Sequence, residues 1–181
     1  MSRMNSTLVE TALTALGQEL GDGTSIEVLL VGGAAGMLTG VFPPTRTTLD
    51  CDVMLYTPRA AAMAVEIAAE TVAGRLGLPV KWFNGDVQMR LDALPDGWER
   101  RKLLVGEYGR LRVMSISRKD LIAMKVLAGR AQDIEDLRSM RVRADERAFV
   151  RTYLATLPAK GTTAAEIADA GALLDGMETD E

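Results

Sequence analysis

The sequence predicts an α+β chain with an α/β core, in which a small sheet threaded by helices precedes a helical C-terminal part. Three observations point there. Two apolar runs of strand length, "IEVLLV" (26–31) and "DCDVMLYT" (50–57), stand between glycines and prolines that mark turns. The stretch "RAAAMAVEIAAETVAGRLG" (59–77) is rich in good helix formers and stops at a glycine. From Ser117 onward, helix caps and helical periodicity recur.

The elements follow in order. Leu8, Ala12, Leu13, Leu16 and Leu20 recur at helical spacing, so residues 5–20 read as an amphipathic helix, broken by "LGDGTS". The run 26–31 is the first strand. "GGAAGMLTG" (32–40) opens on two glycines and reads as a tight turn into a short helix. "VFPPTRTT" (41–48) carries two prolines and reads as a loop. The second strand covers 50–57, Pro58 marks a turn, and the helix 59–77 follows.

From Leu78 to Ser117 the pattern turns strand-like. "VQMRLDAL" (87–94) alternates, and "RKLLVGEYGRLRVMSI" (101–116) reads as a hairpin turning near Gly106–Gly109. Ser117 and Asp120 form a cap for the helix "RKDLIAMKVLAG", and further helices are expected at about 131–140 and 144–156. Thr163 and Glu166 make a capping box for a last helix to about Leu174, and the tail "GMETDE" reads as frayed. The expected division is a core with an N-terminal helix over 1–117 and a helical part over 118–181.

Composition narrows the chemistry. The chain has 181 residues, enough for one domain with a small helical appendage. It has no histidine, which excludes imidazole acid–base chemistry and histidine-ligated zinc. A metal site would rest on oxygen ligands, which suits Mg²⁺, Mn²⁺ or Ca²⁺. The single cysteine, Cys51, fits a reducing compartment. No apolar run reaches membrane-span length, and the N-terminus carries Glu10 and Glu19 rather than the pattern of a secretory signal. A cytoplasmic protein with no membrane partner is expected. The net charge of −4 hides an asymmetry: residues 100–151 hold 14 Lys/Arg against 7 Asp/Glu, between two acidic stretches. Such a segment suits a phosphate-rich ligand or, more plainly, a solvated and internally paired helical face.

Three stretches could carry chemistry. In "RTTLDCDVML" (46–55), Asp50 and Asp52 alternate with Leu49, Cys51 and Val53, so a strand would turn both carboxylates to one face. Neighbouring like charges cost stability unless something neutralises them, and a divalent cation does so. The plain alternative is a surface accident. "LLVGGAAG" (29–36) places two glycines after a strand, where backbone amides approach a phosphate closely; the alternative is a simple turn. In "DLIAMKVLAGRAQDIEDL" (120–137), Lys125 interrupts an apolar helical stretch, and either snorkels to solvent or points at an anion. Asp133 and Asp136 would share a helix face, with Arg130–Asp133 and Glu135–Arg138 as surface pairs. A dinucleotide site of Rossmann type is disfavoured, because "GGAAG" lacks the Gly-x-Gly-x-x-Gly spacing and the acids open their strand rather than end it.

Together, "GG…RTTLDCDV", "LGLPVKWFNGDV" and "ISRKDLIAMKVLAGRAQDIEDL" resemble the nucleotidyltransferase-fold proteins that include the AbiEii-type toxins and their uncharacterised relatives, over about residues 28–140. The resemblance implies a polymerase β-like nucleotidyltransferase fold with a small mixed sheet. It implies that Gly32 and Gly33 hold the triphosphate and that Asp50 and Asp52 bind Mg²⁺ or Mn²⁺. It further implies that Lys125 and Arg130 contact nucleotide, that Asp133 or Asp136 completes the site, and that Arg46 matches the arginine preceding the acid pair. The activity implied is transfer of a nucleotide from an NTP to an RNA 3′ end, such as that of tRNA, or to a protein hydroxyl. A toxin–antitoxin role with a cognate antitoxin partner belongs to the same implication. Two departures stand out. Ala34 and Ala35 follow the glycines where the wider superfamily often has serine, and a third metal carboxylate is not evident, with Asp86 and Asp92 as candidates. These departures leave open a catalytically silent module that binds a partner protein.

Overall fold

The computed structural model describes residues 3–177, so the tail expected to fray lies, from 178 on, outside the described residues. The chain divides into two compact units. One comprises the residues up to 91 together with 102–116; the other comprises 92–101 and the residues from 117 on.

The first unit holds α1 (Ser6–Leu20), β1 (Ile26–Val31), α2 (Gly32–Leu38), β2 (Cys51–Thr57), α3 (Ala62–Leu76), β3 (Phe83–Asn84), β4 (Leu103–Tyr108) and β5 (Leu111–Ser115). The strands form one mixed sheet in the order β3-β2-β1-β5-β4. β1 runs antiparallel to β2 and parallel to β5, β2 is parallel to β3, and β4 and β5 form an antiparallel hairpin. This is the α+β architecture expected, with a sheet that is small and mixed.

Apolar periodicity explains the packing. Asn5 caps α1 by accepting from the Leu8 amide, and the face carrying Val9, Leu13 and Leu16 is buried. β1 is buried almost throughout, as a central strand covered on both faces should be. Val65, Ala69 and Val72 of α3 join the same core with Val28, Leu30, Val53 and Tyr56. Trp82 is fully buried there, and its indole N–H donates to the Ala69 carbonyl at 2.9 Å, so the ring loses no hydrogen bond on burial. Burial of side chains of this size stabilises by roughly 1.5–3 kcal/mol each.

One expected strand is absent. The alternating "VQMRLDAL" forms a 3-10 turn over Gln88–Ala93, and the only strand between α3 and the hairpin is the two-residue β3. The alternating set Val87, Met89, Leu91 and Ala93 has no buried member, Met89 being 96 % exposed, and the buried residue of the stretch, Leu94, is out of phase with it. Period-two spacing makes a strand only where one face meets a core.

The second unit holds α4 (Trp98–Arg101), α5 (Arg118–Ala128), α6 (Ala131–Met140), α7 (Ala144–Thr156) and α8 (Ala164–Gly176). The sequence drew a single boundary between 117 and 118, whereas segment 92–101 lies with these helices. Tyr153 Oη donates to the Ala93 carbonyl at 2.6 Å, Lys160 Nζ to the Leu94 carbonyl at 2.8 Å, and Arg101 to Asp120 at 2.7 Å. The caps form as the residues require. Ser117 accepts from the Asp120 amide, Gly129 closes α5 in the left-handed region, and Thr163 and Glu166 make a reciprocal capping box. Among the described residues no helix is long and apolar enough to cross a membrane.

Candidate functional site

The site of the first unit is built where β1 ends. β1 and β2 pair so that Val31 stands opposite Asp52, and the chain leaves β1 directly into Gly32, at φ +67. That backbone conformation costs an L-residue roughly 1–2 kcal/mol, and glycine adopts it freely. Space demands glycine as well. A Cβ at Gly32 would stand 3.0 Å from Asp52 Oδ2, and one at Gly33 would stand 2.9 Å from Thr48 Oγ1 and 3.6 Å from an Arg46 guanidinium nitrogen. Gly32, Gly33, Arg46, Thr48 and Asp52 therefore converge at one end of the sheet.

Asp50 and Asp52 are half-buried on either side of a fully buried Cys51, as strand alternation requires. Thr48 bridges back to Met4, and its hydroxyl donates to the Asp50 carbonyl at 3.0 Å, which fixes the chain entering β2. Arg46 donates to the Thr47 carbonyl and lies 5.7 Å from the centre of the Phe42 ring. Burial pushes the Cys51 thiol far above its ordinary range, and the charges of Asp50 and Asp52 push it further. Alternation along β2 turns the buried Cys51 side chain to the other face of the strand, which leaves two carboxylates as donors on this one. Hard oxygen donors of this kind fit Mg²⁺ or Mn²⁺.

No group of three or more His, Cys, Asp or Glu side chains suited to a metal ion occurs among the described residues. The strand beside β2 carries Asn84 in register with Asp52, and Asn84 is occupied locally, donating to the Lys81 carbonyl and accepting from the Asp86 amide. Asp86 pairs with Lys81 at 2.9 Å two residues beyond β3, while Asp92 sits in the 3-10 turn and groups with the second unit. Ala34 and Ala35, at positions where serine was the alternative, are fully buried in the core. A hydroxyl there would need a partner among apolar neighbours.

Thr48 is the residue that sequence reasoning passed over. The signal was present: Thr48, Asp50 and Asp52 are spaced at i, i+2 and i+4, the spacing of one strand face. Two clefts of this unit, around Asp22, Gly23 and Gly109 and around Thr14, Gly17 and Tyr108, lie toward the opposite end of β1 and include none of these residues.

The remaining site residues cluster in the second unit. Lys125, buried on α5, donates to Asp133 Oδ1 at 2.8 Å and to Asp136 Oδ2 at 2.6 Å. Their side chains are 5 %, 3 % and 2 % exposed, so the lysine does not snorkel: it meets anions, and those anions belong to the chain itself. Arg130 Nε adds a bond to Asp133 Oδ2 at 2.7 Å from a side chain that is 76 % exposed. Burial alone would raise the Asp133 carboxyl, but hydrogen bonds from Arg130 and Lys125 outweigh it and hold the group below the usual carboxylate range.

A chain with these features is comparable with known proteins in one respect. No curated protein and no solved structure matches it. A family described as nucleotidyltransferase of unknown function (DUF6036) matches residues 11–146, a span that takes in both clusters and well over half of the chain. By that match, the chain belongs to this nucleotidyltransferase-like family.

Proposed function

We propose that the protein is a Mg²⁺- or Mn²⁺-dependent nucleotidyltransferase that moves a nucleotide from an NTP to an RNA 3′ end, such as that of tRNA, or to a protein hydroxyl. The observation that carries this reading is the closure of the Asp52 carboxylate on Gly32, with Arg46 and Thr48 around Gly33. Asp50 and Asp52 would hold the cation, which when bound supplies charge neutralisation at the reacting phosphates. The Gly32 and Gly33 backbone comes near a triphosphate without a side chain in the way, and Arg46 adds a cation beside it. In-line phosphoryl transfer asks a protein mainly for positioning and electrostatics, and these residues offer both. In the second unit, Arg130, bonded to Asp133 and 76 % exposed, would contact the nucleotide from a position that Asp133 fixes, while Lys125 positions Asp133 and Asp136.

The likeness to AbiEii-type toxins extends the proposal to one half of a toxin–antitoxin pair, with a cognate antitoxin as partner. Growth arrest on expression of the wild type, but not of Asp52→Ala, supports that extension.

A second reading rests on Asn84. With an amide where a third carboxylate would deprotonate the attacking hydroxyl, the chain would be a silent nucleotidyltransferase-fold module that binds a partner protein. Incubation with each labelled NTP, Mg²⁺ and total tRNA separates the two. Label transfer abolished by Asp52→Ala supports the enzyme; absence of transfer with all four nucleotides supports the module.

A further inference from the structure

We propose that one end of the helical unit binds the phosphate backbone of RNA, an inference that rests on the reading above and names its acceptor class. Three ties assemble this end. Arg118, opening α5, donates to the Met140 carbonyl at the end of α6 at 2.8 Å and to Glu146 in the first turn of α7 at 2.7 Å. Arg101, closing α4, bonds Asp120 of α5 at 2.7 Å and lies 5.2 Å from the centre of the Phe149 ring of α7. Lys119 reaches Asp145 at 2.9 Å. The starts of α5 and α7, the finish of α6 and α4 thus meet at one end of this unit.

The acids of these helix starts are matched internally. Asp120 is held by Arg101, Asp145 by Lys119, and Glu146 by Arg118 and Arg143. Arg100, Arg138 and Arg141 remain exposed, with no side-chain partner among the described residues, against Glu99 as the carboxylate of α4. Compensation of the α6 dipole accounts for part of this charge, since Arg138 lies in the last turn and Arg141 at the C-cap. It does not account for the backbone at Arg141. This residue sits at φ 50, in the left-handed region where glycine or asparagine is the low-cost choice, and it carries an exposed guanidinium there. A left-handed position occupied by an exposed arginine, where glycine would cost less, points to a ligand rather than to stability.

The ligand is identified by its chemistry. Guanidinium groups match phosphate oxygens, and the aromatic rings of this end, Trp98 and Phe149, are half-buried, with Arg101 over the latter. Bases therefore find no exposed stacking platform, and contact falls on the backbone, independent of sequence and steep in salt.

The test is binding of the full chain to total tRNA between 50 and 200 mM NaCl, read by fluorescence anisotropy. Arg138→Gln with Arg141→Gln is expected to weaken binding about tenfold and to lower the log–log salt slope by about two. Arg138→Lys with Arg141→Lys should keep the slope, and Arg59→Gln, in the sheet unit, should leave both quantities unchanged. Arg100→Gln gives an independent single variant with a drop in slope of about one. Matching urea midpoints show that the variants are folded. Absence of tRNA binding, or a slope unchanged in the double variant, overturns the proposal. So does polyglutamate displacing tRNA as well as RNA homopolymer does, which would assign the face to an acidic protein. If tRNA binds through Arg138 and Arg141 while no label is transferred, the activity fails and the face stands. If label moves to tRNA and the double variant binds as the wild type does, the face fails and the activity stands.

Discussion

The Asp52 carboxylate closes on Gly32 so tightly that a Cβ at the glycine would stand 3.0 Å from Oδ2, and the glycine holds φ +67 at that point. Two constraints, one of backbone and one of space, meet at a single residue. Gly32→Ala is expected to cost about 1–2 kcal/mol in urea unfolding, the penalty of a side chain in the left-handed region. Nucleotide binding should weaken beyond what the stability loss explains, because the new methyl displaces the carboxylate.

Asp52→Asn tests the use of the acid pair, because the amide keeps the shape of the side chain and removes its charge. Label transfer should fall on the order of a thousandfold, because a neutral amide is a poor ligand for a hard cation. A variant that keeps wild-type transfer would remove Asp52 from the site.

Lys125→Met leaves Asp133 and Asp136 buried without their shared ammonium. Breaking a buried ion network from one side costs about 3–5 kcal/mol, and denaturant titration should show a loss of that size. Replacing Lys125, Asp133 and Asp136 together by apolar residues of similar volume should recover most of it, since no charge is then stranded. A loss under 1 kcal/mol in the single variant would mean that water reaches the cluster.

Acid should unfold the helical unit. Burial pushes Glu146 up, but hydrogen bonds from Arg118 and the Arg143 amide outweigh it, so this carboxyl, like that of Asp133, lies below its ordinary range. With the folded-state pKa below the unfolded one, the unfolded chain binds more protons in the interval between them. The stabilisation is complete above the unfolded carboxylate pKa of about 4 and declines as pH falls below it. Arg118→Gln, which removes Glu146's main partner, should lower stability at pH 7 and flatten its change between pH 5 and pH 3. Equal slopes in the two proteins would show that Glu146 does not contribute to the acid transition.

Local signals carried much of the fold. The limits of β1, the helix 131–140 and the caps at Ser117 and Thr163 were legible because each depends on residues within a few positions. The segment 78–102 was not legible: its strand is two residues long, and the alternating residues Val87, Met89, Leu91 and Ala93 are none of them buried. Of the surface pairs expected on α6, Arg130–Asp133 forms, while Glu135 accepts from Gln132 instead of pairing with Arg138.

The amino-acid order by itself determined that two carboxylates alternate with buried neighbours at the mouth of a strand, that two glycines end the strand before it, and that a lysine interrupts an apolar helix. Which groups those residues meet was decided by tertiary structure. Asp52 reaches Gly32 because the β1–β2 register sets it opposite Val31, and that register closes a loop from Thr39 to Asp50 that no local rule dictates. Asn84 stands beside Asp52, and Lys125 finds Asp133 and Asp136, for the same reason. Periodicity acts over three or four residues, whereas the pairing of buried charges and of strands depends on which distant segments the core draws together.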